Sequence, residues 1–290
     1  MKFDKNTKIL IVGLGLIGGS YAKALSDKGY FVGAIDKKKS SVEYALKNGL
    51  IQVGETNVKK DFVKDFDLIV FALYPHDFIN WIKEYQSSIK SGALITDVTG
   101  VKSFVVENVQ KILRGDLEFV GAHPMAGKEV SGVENADPKI FVGANYIVTP
   151  TKKNTDENVQ AVKDLGRALG FERISSLSPE EHDETVGFLS HLTHCIAVSL
   201  MVSKKSHHLA EYTGDSFRDL TRIAKINDEM WSELFLANKD ELLKQMDLFE
   251  EKFNQLKEDI KNDNREKIRE TLRESTARRK VFDKDAKETK

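Results

Sequence analysis

The sequence predicts an α/β protein in which a doubly wound parallel sheet, residues 1–177, precedes an all-α part, residues 178–290. Three observations carry this. Short apolar β-branched runs alternate with helical spacing along the first part. One of these runs opens into Gly13-Leu14-Gly15-Leu16-Ile17-Gly18 where a strand gives way to a helix. Beyond Ser178 helix signals continue but no convincing strand remains. A sheet of this kind is Rossmann-type, and ligands collect outside the carboxyl ends of its strands.

The first unit is the most informative. Residues 8–12 are a strand, the glycines supply Gly-x-Gly-x-x-Gly, and apolar residues at helical spacing follow through Ala22 and Leu25. The first glycine allows the tight turn, the second lets backbone approach a pyrophosphate, and the third lets the helix pack closely on the strand. The helix N-terminus is then aimed at the anion. A second strand over 30–35 ends in Asp36, where the fold places a carboxylate for the ribose hydroxyls. The cofactor contacts are therefore assigned to Gly13, Gly15, Leu16, Ile17, Gly18 and Asp36, with Leu73 and Tyr74 at the end of a later strand. Lys37, Lys38 and Lys39 read either as a solvated first helical turn or as partners of a 2′-phosphate. Asp36 would repel that phosphate, so the expected cofactor is NAD rather than NADP.

Residues 67–73 form a continuous apolar run of the kind a strand buried on both faces needs. It stops at Tyr74-Pro75-His76, a loop expected beside the cofactor. Alternation continues through strands over 93–96, 117–120 and 146–148, with a last strand over 172–177, all read as one parallel sheet. Two strand ends then matter for chemistry. One delivers Asp97-Val98-Thr99-Gly100-Val101-Lys102, the other Gly121-Ala122-His123-Pro124. Pro124 biases His123 toward an extended conformation, so its imidazole projects from the strand edge. Neutral imidazole can accept a proton from an alcohol being oxidised. The alternative is a histidine that satisfies buried backbone at a turn.

The helical part opens with Ser178 as N-cap, Pro179 at the first helical position and Glu181 completing a capping box. This helix is expected to run to Ser203, with Gly187, Ser190 and His194 on one face and His191 beside it. His191, His194 and Cys195 lack a further acidic ligand at helical spacing, so no metal site is expected. Residues 217–224 would form a helix placing Arg218 and Arg222 on one face, partly buried, with Asp219 bracing Arg222. Arginine's planar fork suits a carboxylate. From Asp228 on, Trp231, Phe235, Leu242, Met246, Phe249, Phe253, Leu256 and Ile260 recur at threes and fours, a single helix of about 30 residues with a long apolar stripe. One chain has too little other sequence to cover it, which implies a homodimer. After Asn262 the chain is highly charged, and its last residues are expected to fray.

Composition narrows the partners. Forty-four basic and 45 acidic side chains leave a net charge of −1, so no overall field favours nucleic acid or an anionic membrane. A small-molecule substrate is expected. The single cysteine, Cys195, cannot form an intramolecular disulfide and suits a reducing, cytoplasmic setting. The apolar N-terminal run is studded with functional glycines, and no run is read as long enough to span a bilayer.

Several motifs in order resemble the prephenate and arogenate dehydrogenases of tyrosine biosynthesis. These are the glycine turn, His123-Pro124-Met125-Ala126-Gly127 with Glu129 and Ser131-Gly132, the run from Ser190 to His194, and Phe217-Arg218-Asp219-Leu220-Thr221-Arg222-Ile223-Ala224. The resemblance spans about residues 8–260 and implies NAD-dependent oxidative decarboxylation of prephenate to 4-hydroxyphenylpyruvate by a dimer built through its helical domain. It makes His123 the residue that meets the ring hydroxyl, Arg222 the holder of a substrate carboxylate and Asp219 its brace. His194, Trp231, Glu129 and Ser190 become substrate-pocket residues. Many relatives have serine at the position of Gly100, and Thr99 is assigned that hydroxyl's catalytic role here. Many also have proline where Thr193 stands. Prephenate and arogenate differ only in a side-chain keto or amino group, and the sequence leaves both open. The rival readings are a β-hydroxy acid dehydrogenase, which would use a lysine on the helical domain, and a non-catalytic NAD-sensing dimer, which would need neither His123 nor Arg222.

Overall fold

The computed structural model describes residues 1–205 and 208–282. Six parallel strands lie in the order β3-β2-β1-β4-β5-β6. They are β1 (Ile9–Val12), β2 (Val32–Ile35), β3 (Val53–Glu55), β4 (Leu68–Phe71), β5 (Leu94–Asp97) and β6 (Glu118–Phe119). The order reverses at β1, whose Ile9 stands opposite Val32 on one side and Leu68 on the other. That divergence makes the crevice at the carboxyl ends where a dinucleotide is expected.

Helices cover both faces. α1 (Leu16–Asp27), α2 (Lys39–Lys47) and α3 (Lys60–Val63) connect the first strands, and α4 (Pro75–Tyr85) and α5 (Ser103–Ile112) follow β4 and β5. Successive β1 side chains alternate between the two cores as pleating requires. Ile9 and Ile11 pack with Tyr21 and Leu25 of α1, and Leu10 and Val12 lie in the layer that holds Phe78, Ile82 and Val105.

The expectation of one continuous parallel sheet fails after Phe119. The chain leaves β6 and forms β7 (Gly121–Pro124), which pairs antiparallel with β8 (Asn145–Thr149), and β8 pairs in parallel with β9 (Arg173–Ser176). A side chain explains the break. Ala122 N–H donates to Asp97 Oδ1 at 3.0 Å, so a carboxylate stands where the β5 ladder would continue. His123 therefore projects from a second, three-stranded sheet. Helix α6 (Asp156–Leu169) joins β8 to β9.

The capping box at Ser178 is present, with Ser178 and Glu181 bonded reciprocally. The helix it opens is not uniform: α7 (Pro179–Val186) widens into a π-helical stretch, Gly187–Leu192, before α8 (Thr193–Val202). By length and composition Pro179–Val202 could cross a bilayer, contrary to the sequence reading. Its most apolar window is 28% buried, and its buried residues include His182, Asp183 and His191. Next come α9 (Asp215–Thr221), α10 (Asp228–Ala237), α11 (Lys239–Lys261) and α12 (Arg265–Arg279). The single long helix expected from Asp228 is interrupted at Asn238, which is buried and donates to the Asp183 carbonyl at 2.9 Å. The charged segment after Asn262 forms α12, and 283–290 lie outside the described residues.

By compactness the chain divides into Met1–Lys239 and Asp240–Lys290. The first helices after Ser178 pack on the dinucleotide unit, with α7 meeting α5 and β8. In the second unit Met246, Phe249, Phe253 and Ile260 of the apolar stripe are exposed, whereas Leu242 is buried.

Candidate active site

The cofactor end is built from backbone. Gly13 adopts φ +98°, and a Cβ there would lie 2.4 Å from the Ala72 carbonyl oxygen. A Cβ on Gly18 would lie 2.0 Å from the Gly13 carbonyl oxygen. Neither position tolerates a side chain. No side chain caps α1 at Gly15, so its first N–H groups are open to an anion. Asp36 is fixed at the end of β2, Oδ2 accepting from Leu14 N–H at 2.6 Å and Oδ1 from Lys38 N–H at 2.7 Å. Leu73 and Tyr74 follow β4, and Tyr74 Oη accepts from Asn227 at 3.2 Å. Leu16 and Ile17 form the first turn of α1. The cradle, the open amides and the fixed carboxylate together fit a dinucleotide.

Behind this crevice lies a buried polar cluster. Lys102 is fully buried, and its Nζ donates to Asp97 Oδ2 at 2.5 Å, Thr99 Oγ1 at 3.0 Å and the Ala122 carbonyl at 2.7 Å. Burial pulls the Lys102 pKa down, against the carboxylates of Asp97 and Asp183. Thr99 donates its hydroxyl to Asp97 as well. The expected catalytic role of Thr99 is therefore corrected: its hydroxyl is spent inside this ion pair. The space beside His123 belongs to Gly100, where a Cβ would stand 3.9 Å from His123 Cε1 and 3.5 Å from the Leu234 methyls.

His123 lies deep among protein atoms and is half-buried. Its Nδ1 is 2.8 Å from His182 Nε2, and His182 Nδ1 is 2.8 Å from Asp183 Oδ1. Burial pushes the His123 pKa well below its ordinary value, and His182, Lys102 and His191 add to the effect. His182 and Asp183 were missed in the sequence, where they look like solvated residues beside Glu180 and Glu181.

The substrate side comes from the helices. The His194 ring stacks on Trp231 with centroids 3.7 Å apart. His194 Nδ1 donates to the Ser190 carbonyl at 2.8 Å, so Ser190 contributes through its backbone. The π-helical stretch separates the two neighbouring histidines. His191 is buried near Asn238, its pKa pushed down by burial to about 4, whereas His194 faces Trp231. Arg222 follows α9 and its side chain is 64% exposed, not partly buried as expected. Its partner is Glu129, in the loop after β7, rather than Asp219, which stays exposed. Arg218 pairs instead with Asp215 at 2.9 Å. Glu129 and Arg222 both influence the charge of His194, with opposite sign. Trp231, His194, Arg222 and Glu129 are thus brought together, and Asp219 is not.

A dinucleotide cradle at a sheet's divergence, facing a histidine and a helix-borne arginine, defines the class of dinucleotide-dependent oxidoreductases with a helical substrate part. Within that class, the chain belongs to the prephenate dehydrogenase family. Residues 21–173 match its nucleotide-binding domain and residues 178–274 its dimerization domain. The first match begins after the glycine turn, so Gly13 to Gly18 rest on the geometry above. The chain is 34% identical over 249 residues to the prephenate dehydrogenase of Bacillus subtilis, covering 82% of this chain and 66% of that protein. It is 32% identical over 257 residues to that of Lactococcus lactis, covering 86% and 70%. The chain thus spans about two thirds of the length of these relatives. The crystal structure of prephenate dehydrogenase from A. aeolicus, in complex with hydroxyphenyl propionate and NAD+, superposes with a TM-score of 0.87 at 34% identity, covering 96% of this chain and 98% of that one.

Proposed function

We propose that the protein catalyses NAD-dependent oxidative decarboxylation of prephenate to 4-hydroxyphenylpyruvate. The observation that carries this reading is the position of His123, half-buried on β7 with its Cε1 3.9 Å from where a Cβ on Gly100 would stand, in the segment that follows β5. A ring hydroxyl there would meet an imidazole kept neutral by burial. NAD, when bound, supplies the hydride acceptor. His123 accepts the hydroxyl proton as the carbonyl forms. Arg222 holds a substrate carboxylate, with Glu129 setting the orientation of its guanidinium. His194 and Trp231 form one wall of the pocket. Loss of carbon dioxide is then driven by aromatisation and asks little of the protein beyond orientation. The arginine and histidine arrangement does not suit a lysine-based β-hydroxy acid dehydrogenase.

The test is spectrophotometric. Prephenate should drive NADH formation, and kcat/KM should be higher with NAD than with NADP, because Asp36 fixes negative charge where a 2′-phosphate would sit. No NADH with prephenate would remove the reading, and a preference for NADP would remove the role given to Asp36.

The working form is a homodimer, and a cytoplasmic location accords with the single cysteine. Leu243, Phe249 and Phe253 are exposed large side chains on α11. Covering each is worth about 1.5–3 kcal/mol when complete. Light scattering at micromolar concentration should return twice the mass of one chain, and a monomeric mass would contradict the assembly.

A further inference from the structure

We propose that Asp183 and His182 are positioning residues that hold His123 in the tautomer carrying its proton on Nδ1, leaving Nε2 open to take the substrate's hydroxyl proton. The inference rests on the reading of His123 as proton acceptor, and its polarity follows from the hydrogen bonds alone. Asp183 sits at the N-terminus of α5: Oδ1 accepts from Lys102 N–H and Oδ2 from Ser103 N–H, both at 2.8 Å. Two backbone donors and the helix dipole keep it an anion, which can only accept. Burial pushes its pKa up, but the bonds from His182, Lys102 and Ser103 outweigh this and hold it below its ordinary value.

Oδ1 of Asp183 requires His182 to donate from Nδ1, 2.8 Å away. A neutral His182 then has only a lone pair at Nε2. His123 Nδ1, 2.8 Å from that nitrogen, must be its donor. His123 Nε2 is left as the acceptor, the form a general base needs. In the reaction the substrate O–H bond breaks and an N–H bond forms at His123 Nε2. The oxygen's electron pair becomes the carbonyl as hydride departs to the nicotinamide. The imidazolium formed donates through His182 toward the Asp183 anion, which stabilises it.

Other charges face the pair. Asp97 approaches from the end of β5, Lys102 from the segment that joins β5 to α5, and His191 from the π-helical stretch. Lys102 opposes protonation of both histidines, but Asp97 neutralises it at 2.5 Å. Asp183 is thus the anion that directly accepts from His182. Asn238 donates to the Asp183 backbone carbonyl at 2.9 Å and fixes the turn that presents it.

The test combines Asp183→Asn and His182→Gln with long-range 1H–15N spectra of histidine-labelled protein. The spectra should show His123 protonated on Nδ1 and not on Nε2 in the parent enzyme. In Asp183→Asn the amide nitrogen can face His182 and reverse the relay. We expect kcat to fall about 10²-fold, with KM for prephenate changed less than about threefold and the acidic limb of log kcat moved to lower pH. His182→Gln still offers a carbonyl to His123 and should lose about tenfold. The proposal is overturned if the spectra place the parent His123 proton on Nε2. It is equally overturned if either variant, folded and binding NAD, keeps the parent kcat and limb. Expected tautomers in an enzyme inert toward prephenate would sink the substrate assignment and leave the relay standing.

Discussion

Replacing His123 with Asn is expected to lower kcat by about 10²–10⁴-fold, ~3–5 kcal/mol in activation free energy, and to leave NAD affinity nearly unchanged. Asparagine keeps a polar side chain but cannot take a proton, and it is too short to fill the place between His182 and the edge beside Gly100. The cradle at Gly13 and Gly18 and the carboxylate of Asp36 lie on other strands and should be untouched. Steady-state kinetics with prephenate, paired with a fluorescence titration of NADH, separates these effects. A fall confined to KM would make His123 a binding contact.

The second large effect concerns stability. Lys102→Met should cost about 3–5 kcal/mol, the range for removing one partner of a buried ion pair. All three Lys102 ammonium donors are used, on Asp97, Thr99 and the Ala122 carbonyl, and neither Lys102 nor Asp97 is exposed. Methionine fills the volume but leaves the Asp97 carboxylate facing only neutral donors, Thr99 and the Ala122 N–H. Because Ala122 precedes His123, the same change should loosen the strand that carries His123. Urea unfolding monitored by circular dichroism measures the loss. A midpoint equal to the parent's would show that the pair contributes nothing net, as some buried ion pairs do when replaced by apolar groups.

What was legible in the sequence was what is local. Gly13, Gly18 and Asp36 announce a turn and a strand end within one unit, and the capping box at Ser178 is written in four consecutive residues. His123 was legible as a strand-edge histidine, but its sheet was not. The shift from β6 to β7 depends on the Asp97 carboxylate reaching Ala122, 25 residues away, and no local pattern records that. The partner of Arg222 failed for the same reason: Asp219 stands three residues before it, whereas Glu129 arrives from a loop 93 residues earlier. Thr99 was assigned by adjacency to Gly100, yet the turn directs its hydroxyl into the Lys102 pair. The π-helical stretch Gly187–Leu192 escaped notice because the segment was read at uniform α-helical spacing, and the wider i→i+5 turn rotates the face that follows it. The helix break at Asn238 is a tertiary effect, tied to the Asp183 carbonyl.

The most direct test of the account is the pH dependence of kcat for the unaltered enzyme, read beside that of His123→Asn. If neutral His123 accepts the proton, log kcat rises with pH at unit slope and then levels off. The apparent pKa should fall below 6.5, because burial and the neighbouring His182, Lys102 and His191 all disfavour the imidazolium. The limb should vanish in His123→Asn. A limb centred above about pH 7, or one that survives that substitution, would contradict the assignment of His123 as the base.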